Sequence, residues 1–349
     1  MPTFQDVRQF LFGQAFGKVA LPDVNLSGKT IVITGANTGL GLEAAKHLYE
    51  SPNPLALVAK LTYYFRSARM KVSRLVFACR NLEKGEAAKA AVMSEVGDSD
   101  CLQIDVWQVD LDRFDSVRAF CTRIHHELDR IDGFVANAGV ELMEYKQSEG
   151  LERTLTVNVV STFYMVTSIW HKLQETTERY NVDTRLSLVG SLIHCMAPEY
   201  QLDVPEDAEI LEALSDRDTA DMSSRYPLSK LIVHQLLANM AHHAPAQLDS
   251  PRVIFNLVNP GWCGTELGRA KEQGIFERIC FGVIGRNSED GGRTLAHAVT
   301  AGRELDRKYL SECIVKPQSE YVRSKKGEYV GQKIFGEVLE KIQAVDQRS

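Results

Sequence analysis

The seven cysteines (79, 101, 121, 195, 263, 280 and 313) are odd in number, scattered and without a C-x-x-C pair. That excludes a disulfide framework or a cysteine zinc site and points to a reducing, cytoplasmic compartment. The nine histidines form no H-x-x-x-H or H-E-x-x-H pattern, so no metal site is read, and the pairs at 125–126 and 242–243 fall on expected helix surfaces or ends. A basic excess is also missing: formal net charge is −6 and the isoelectric point near 5.9. General nucleic-acid binding is therefore not expected, and small molecules or proteins are the expected partners. No run of about 18 uncharged apolar residues occurs, so no helix should span a bilayer. Repeats, low-complexity tracts and Gly/Ser- or Pro-rich linkers are absent. The N-terminal stretch lacks the order of a secretory signal.

What is present is 349 residues with 44% hydrophobic content, enough for one large domain with elaborations. From Lys29 onward, short apolar runs alternate with helix-periodic segments. TIVITG (30–35), RLVFACR (74–80), DVWQVDL (105–111), DGFVANAG (132–139), RLSLVGS (185–191) and RVIFNLVNPG (252–261) read as strands. Helices are expected at 40–50, 81–96, 114–128, 150–173 and 226–244. Such alternation implies an α/β fold, a doubly wound parallel sheet with right-handed crossovers. Residues 28–300 form the expected catalytic domain, 1–27 an extension and 301–349 a C-terminal elaboration of helices and loops. Phe4, Val7, Leu11 and Ala15 recur at helical spacing, so the N-terminus reads as a short amphipathic helix. It either touches a membrane surface or partner, or packs on the domain's own edge.

TGANTGLG places Gly35, Gly39 and Gly41 directly after a strand and at the opening of a helix. Glycines there permit a tight turn and let the backbone approach a pyrophosphate held at the helix N-terminus, the Rossmann-like arrangement. YPLSK sets Tyr226 and Lys230 four apart, on one helical face. A phenol ordinarily titrates near about 10, and an adjacent ammonium should lower that value and make an acid/base.

The glycine turn, NAG (137–139), Asn158, Ser191, Tyr226 with Lys230, and NPG (259–261) occur in an order that resembles the short-chain dehydrogenase/reductase family over roughly residues 28–300. TGANTGLGLEAAKHL, ACRNLEKGEAAKAA and GRNSEDGGRTLAHAV are most similar to retinol-dehydrogenase-like enzymes and fungal secondary-metabolite reductases. The resemblance implies Tyr226 as proton donor, Lys230 on the nicotinamide ribose, Ser191 on the substrate oxygen, and Asn158 anchoring a water that links Lys230 to solvent. It likewise implies cofactor contacts at Gly35, Asn37, Gly39, Leu40 and Gly41. Further contacts fall on Asp110 and on Asn137, Ala138 and Gly139, then on Pro260, Gly261 and Thr265 near the nicotinamide. The second strand ends in Arg80 with no acid, which favours NADP(H), since arginine suits a 2′-phosphate and an acid would suit a 2′-hydroxyl.

Ser191 and Tyr226 are separated by 34 residues, so a substrate loop at about 193–224 is expected, rich in acids that read as a solvated face. Met196, Tyr200, Trp262, Phe276 and Phe281 are candidates for an apolar pocket and equally for core. Gly41 and Arg80 lie 39 positions apart, against about 20 for a simple fingerprint. The excess, about 51–70, reads as an interfacial amphipathic helix, a surface excursion or a gene-model artefact. The expected activity is NADPH-dependent reduction of a lipophilic ketone, or oxidation of the alcohol, of polyketide-like or retinoid-like character. The alternative is a catalytically silent nucleotide-binding or scaffold protein.

Overall fold

Every residue of β1 (Thr30–Thr34) is β-branched and buried, the composition that suits a strand covered on both faces. Residues 19–49, 70–96, 102–243, 252–264 and 285–347, with 8, 12–14, 17, 250 and 267, are the ones described by the computed structural model. After β1 come α1 (Gly39–Leu48), β2 (Arg74–Cys79), α2 (Leu82–Val96), β3 (Gln103–Gln108), α3 (Phe114–Glu127) and β4 (Gly133–Ala136). A small hairpin, β5 (Gln147–Ser148) and β6 (Leu151–Glu152), leads through a helical turn (Arg153–Leu155) and a π turn (Thr156–Ser161) into α4 (Thr162–Tyr180). Then follow β7 (Thr184–Val189), α5 (Ile210–Leu214), α6 (Met222–His243), β8 (Val253–Asn259), α7 (Ser288–Ala298), β9 (Tyr309–Ser311), β10 (Ile314–Val315) and α8 (Lys325–Gln347).

The main sheet runs β10-β9-β8-β7-β4-β1-β2-β3. All its pairings are parallel except β9 with β10. The chain moves outward from β1 through β2 and β3, then returns to start β4 on the other side of β1. That reversal opens a crevice beyond the carboxyl ends of β1 and β4, where ligands of doubly wound sheets bind. Alternate side chains feed two cores. Val32, Phe134, Leu186 and Phe255 join Phe120, Trp170, Leu236 and Ile334 on one face. Ile31, Ile33, Phe77 and Val135 join Ala44, Leu48, Val92 and Leu295 on the other.

The doubly wound sheet follows the expected alternation, with three local differences. The helix expected from 150 begins as a hairpin strand, because the Glu152 carboxylate accepts from the Thr154 and Leu155 N–H groups at 2.8 and 3.3 Å and sets the helix start there. The tail expected to hold only helices and loops contributes β9, whose register against β8 pairs Asn259 with Ser311; three residues are too few to show a strand period. Met70, assigned to the excess segment, is fully buried in the second core, and its carbonyl accepts from the Leu26 N–H at 2.6 Å. Residues 51–69 of that segment, and Phe4, Val7, Leu11 and Ala15, lie outside the described residues. No described helix is long and apolar enough to cross a membrane.

Candidate active site

β1 and β4 end side by side, and one hydroxyl joins their exits. Thr34 Oγ1 accepts from the backbone N–H groups of Asn137 and Ala138, both at 3.0 Å. The Asn137 amide donates to the Thr34 carbonyl at 2.9 Å. Gly35 leaves β1 with φ +68°, a left-handed conformation that a side chain would strain. Gly41 sits so close that a Cβ there would lie 2.6 Å from the Gly35 carbonyl oxygen. The glycine turn and NAG are therefore one rigid body, with the N-terminus of α1 facing the crevice. Leu40 packs on the second core, while Asn37 and Gly39 are half-buried on the turn.

Asn158 lies in the π turn, a geometry frequent at functional sites because its extra residue redirects a side chain. Its carboxamide clamps Val140, accepting from the N–H at 2.8 Å and donating to the carbonyl at 2.9 Å. The same amide donates to Ser229 Oγ at 3.0 Å, and Ser229 donates to the Tyr226 carbonyl at 2.8 Å. Asn158 thus ties the segment after Gly139 to the helical turn carrying Tyr226 and Lys230.

Ser191 caps the turn after β7, accepting from the Ile193 N–H at 3.3 Å, and its side chain hydrogen-bonds Tyr226. Lys230 donates to the Val189 carbonyl at 2.8 Å, and its ammonium stands 5.7 Å from the centre of the Tyr226 ring. Burial pushes the lysine down to about 8. Tyr226 departs from expectation. Burial drives its phenol upward, nearby Glu141 adds to the rise, and the Ser191 bond offsets only part of it. The expected lowering by Lys230 is not what this environment produces, because the ammonium is spent on the Val189 carbonyl and the phenolate would lose its solvation.

On the far side of the crevice, Arg80 is exposed beyond β2, its guanidinium 3.9 Å from the Asp112 carboxylate. Asp112 is already engaged by Arg153 Nε at 2.6 and 2.7 Å. Asn81, next in sequence, accepts from the Lys84 N–H at 2.9 Å, so Arg80 stands at the opening of α2. Asp110 accepts from the Asp112 N–H at 3.1 Å, a local turn bond. Pro260 and Gly261 follow β8; Thr265, Phe276 and Phe281 lie outside the described residues. Met196 and Tyr200 are 54% and 68% exposed, so they are not core, while Trp262 is half-buried. Most acids of the 193–224 segment face solvent.

Four further residues shape this frame: Thr34, Ser229, Glu141 and Asn259. Asn259 Oδ1 accepts from the Leu192 and Gly261 N–H groups at 3.1 and 3.2 Å, joining the exits of β7 and β8. Thr34, Ser229 and Asn259 sit inside TGANTGLG, YPLSK and NPG, while Glu141 carries no local signal.

A family model described as short chain dehydrogenase matches residues 65–179. The chain is 33% identical to the short chain dehydrogenase/reductase dmxR8 of Cryptosporiopsis sp., over 96% of this chain and 97% of that one. It is 31% identical to the short-chain dehydrogenase anuD of Penicillium roqueforti, over 95% and 82%. Its fold is similar to a crystal structure of 3-ketoacyl-(acyl-carrier-protein) reductase from Brucella melitensis complexed with NADH, with a TM-score of 0.52, 18% identity and coverage of 82% and 97%. With a switch-point crevice, a glycine turn welded to NAG, and one-third identity along nearly the whole of a relative, this chain belongs to the short-chain dehydrogenase/reductase family.

Proposed function

We propose that the chain is an NADPH-dependent carbonyl reductase or alcohol dehydrogenase of a lipophilic small molecule, of the kind made in secondary metabolism. The convergence of Ser191, Tyr226 and Lys230 at the carboxyl ends of β7 and β4 carries this reading. The cofactor fits the residues present. Gly35, Asn37, Gly39, Leu40 and Gly41 would take the pyrophosphate, Asp110 and Asn137–Gly139 the adenosine side, and Pro260 and Gly261 the nicotinamide side. Arg80, exposed and only loosely paired beside the first turn of α2, supplies the charge a 2′-phosphate requires.

When bound, the nicotinamide supplies or accepts the hydride. Ser191 and Tyr226 then hydrogen-bond the substrate oxygen as negative charge grows on it, and Tyr226 delivers the proton. A phenol held above its ordinary range is protonated at neutral pH, the state the reductive direction needs. Lys230 orients the ribose, and Asn158 fixes the turn on which Tyr226 and Lys230 stand. Met143, Met196 and Tyr200 project exposed apolar surface from the segments after β4 and β7, which supports a lipophilic substrate.

The test is NADPH consumption with a panel of carbonyl compounds, followed by absorbance. Turnover that disappears in Tyr226→Phe is the expected result. Tight NADPH binding with no turnover on any compound would instead indicate a silent nucleotide-binding protein.

A further inference from the structure

Gln14 makes a two-way pairing with a residue 248 positions away. Its Nε2 donates to the Trp262 carbonyl and its Oε1 accepts from the Trp262 N–H, both at 3.0 Å. The side chain thereby satisfies both backbone groups of Trp262, as a neighbouring strand would. Arg286 reinforces the contact. Its backbone N–H donates to the same Trp262 carbonyl at 2.9 Å, while its guanidinium donates to the Gly13 and Gly17 carbonyls at 2.6 and 3.3 Å. The guanidinium also lies 3.8 Å from Glu312, and both residues are buried. Glu312 accepts from Ser311 Oγ at 2.7 Å, Ser311 accepts from Asn259 Nδ2 at 3.0 Å, and Asn259 holds Leu192 and Gly261. The N-terminal segment fits this corner closely: a Cβ at Gly13 would come within 2.8 Å of the Glu312 carboxylate, and one at Gly17 within 2.3 Å of its Cγ.

We propose that Gln14 is a positioning residue of the cofactor site, holding the Asn259–Trp262 exit of β8 in the shape that receives the nicotinamide end. The proposal rests on the functional reading given above. Pro260 and Gly261 have no side chain able to fix their own course. The loop is instead held by Asn259 from within the sheet, and from outside it by the Arg286 backbone and by Gln14. Without Gln14, the Trp262 N–H loses its Gln14 acceptor and the Trp262 carbonyl keeps only the Arg286 N–H of its two donors, and the fraction of molecules with the loop in place falls. Apparent cofactor affinity falls by that fraction.

The experiment uses the full chain. NADPH is titrated by fluorescence, and amide hydrogen exchange is followed across 259–264 in the free protein. Gln14→Ala should weaken NADPH binding roughly tenfold, the equivalent of two neutral hydrogen bonds partly replaced by water. The Trp262 amide should exchange faster while Tm stays near that of the native protein. Gln14→Glu keeps the acceptor for the Trp262 N–H but has no donor for its carbonyl, so an intermediate loss is expected. Gly17→Val should act in the same direction by crowding Glu312, without altering any polar group of Gln14. NADPH affinity within twofold of the native value in Gln14→Ala, or an unchanged Trp262 amide, overturns the proposal. If the native chain binds neither NADPH nor NADH, the functional reading fails and the proposal with it; exchange at Trp262 then reports separately whether the segment docks.

Discussion

His194 and His234 stack face to face, ring centres 3.5 Å apart and planes 14° from parallel, behind the Ser191 turn. His194 Nδ1–H donates to the Ser191 carbonyl at 2.8 Å, and its Nε2 accepts from the Ser319 N–H at 3.1 Å. Those bonds fix one neutral tautomer. Burial, then the neighbouring His194 and Lys230, hold His234 well below the usual histidine range. The folded state therefore binds fewer protons than the unfolded chain, and stability should fall as pH drops below about 6.5. His234→Phe keeps a flat ring in the stack and removes the titration. Thermal unfolding at pH 7 and pH 5 should show a smaller acid loss in this variant; an equal loss assigns the acid limb to other groups.

Lys230 presents the opposite end of the pH scale. With a folded value of about 8 against an ordinary 10.5, the folded state holds fewer protons between those limits, so its contribution to stability rises with pH across that window. Lys230→Met should be more stable than the native chain at pH 7, by on the order of 1–3 kcal/mol after the lost bond to Val189 is included. That advantage should shrink by pH 10. Turnover should be lost throughout, and denaturant midpoints at both pH values provide the comparison.

The proposed preference for NADPH rests on Arg80, which is exposed beyond β2. Arg80→Ala removes the exposed guanidinium at the opening of α2 and should weaken NADPH roughly ten- to hundredfold, the range of one or two charge-assisted bonds. NADH should change by less than threefold. Equal losses for both cofactors in binding titrations would remove the phosphate role.

Arg225, immediately before Tyr226, is buried with its Nε 3.6 Å from the equally buried Glu152 carboxylate, and its Nη2 donates to the Leu214 carbonyl at 2.6 Å. Arg225→Met leaves that carboxylate without its cation and should cost about 3–5 kcal/mol. Adding Glu152→Gln should cost much less than the sum of the two single changes, because the uncompensated charge is gone. Additive costs in urea unfolding would mean the two groups do not act as a pair.

The parts of this fold that could be read from sequence are those written locally. β1 announces itself by five β-branched residues, the glycine turn by its spacing, and Tyr226 with Lys230 by one helical turn. What escaped depends on contacts distant in the chain. The hairpin start at Leu151–Glu152 is set by a carboxylate that caps instead of continuing a helix. The direction of the Tyr226 shift depends on burial and on Glu141, 85 positions earlier. β9 exists because Tyr309–Ser311 finds the edge of β8, and Gln14 pairs with Trp262, 248 positions further along the chain. Periodicity carries no trace of such pairings.

The π turn at Thr156–Ser161 also sets a rotational phase. A π turn holds one residue more than the α-helical turn it replaces, so its excess must be absorbed before α4 can seat Phe163, Ile169 and Trp170 in the core. A one-residue deletion inside 156–161 would relax the stretch to regular helix and leave those downstream side chains pointing where they do now. The clamp on Val140 and the link to Ser229 would vanish, since only the bulge swings Asn158 toward them. The bulge is thus a spacer, itself buried, on which the reach of Asn158 depends.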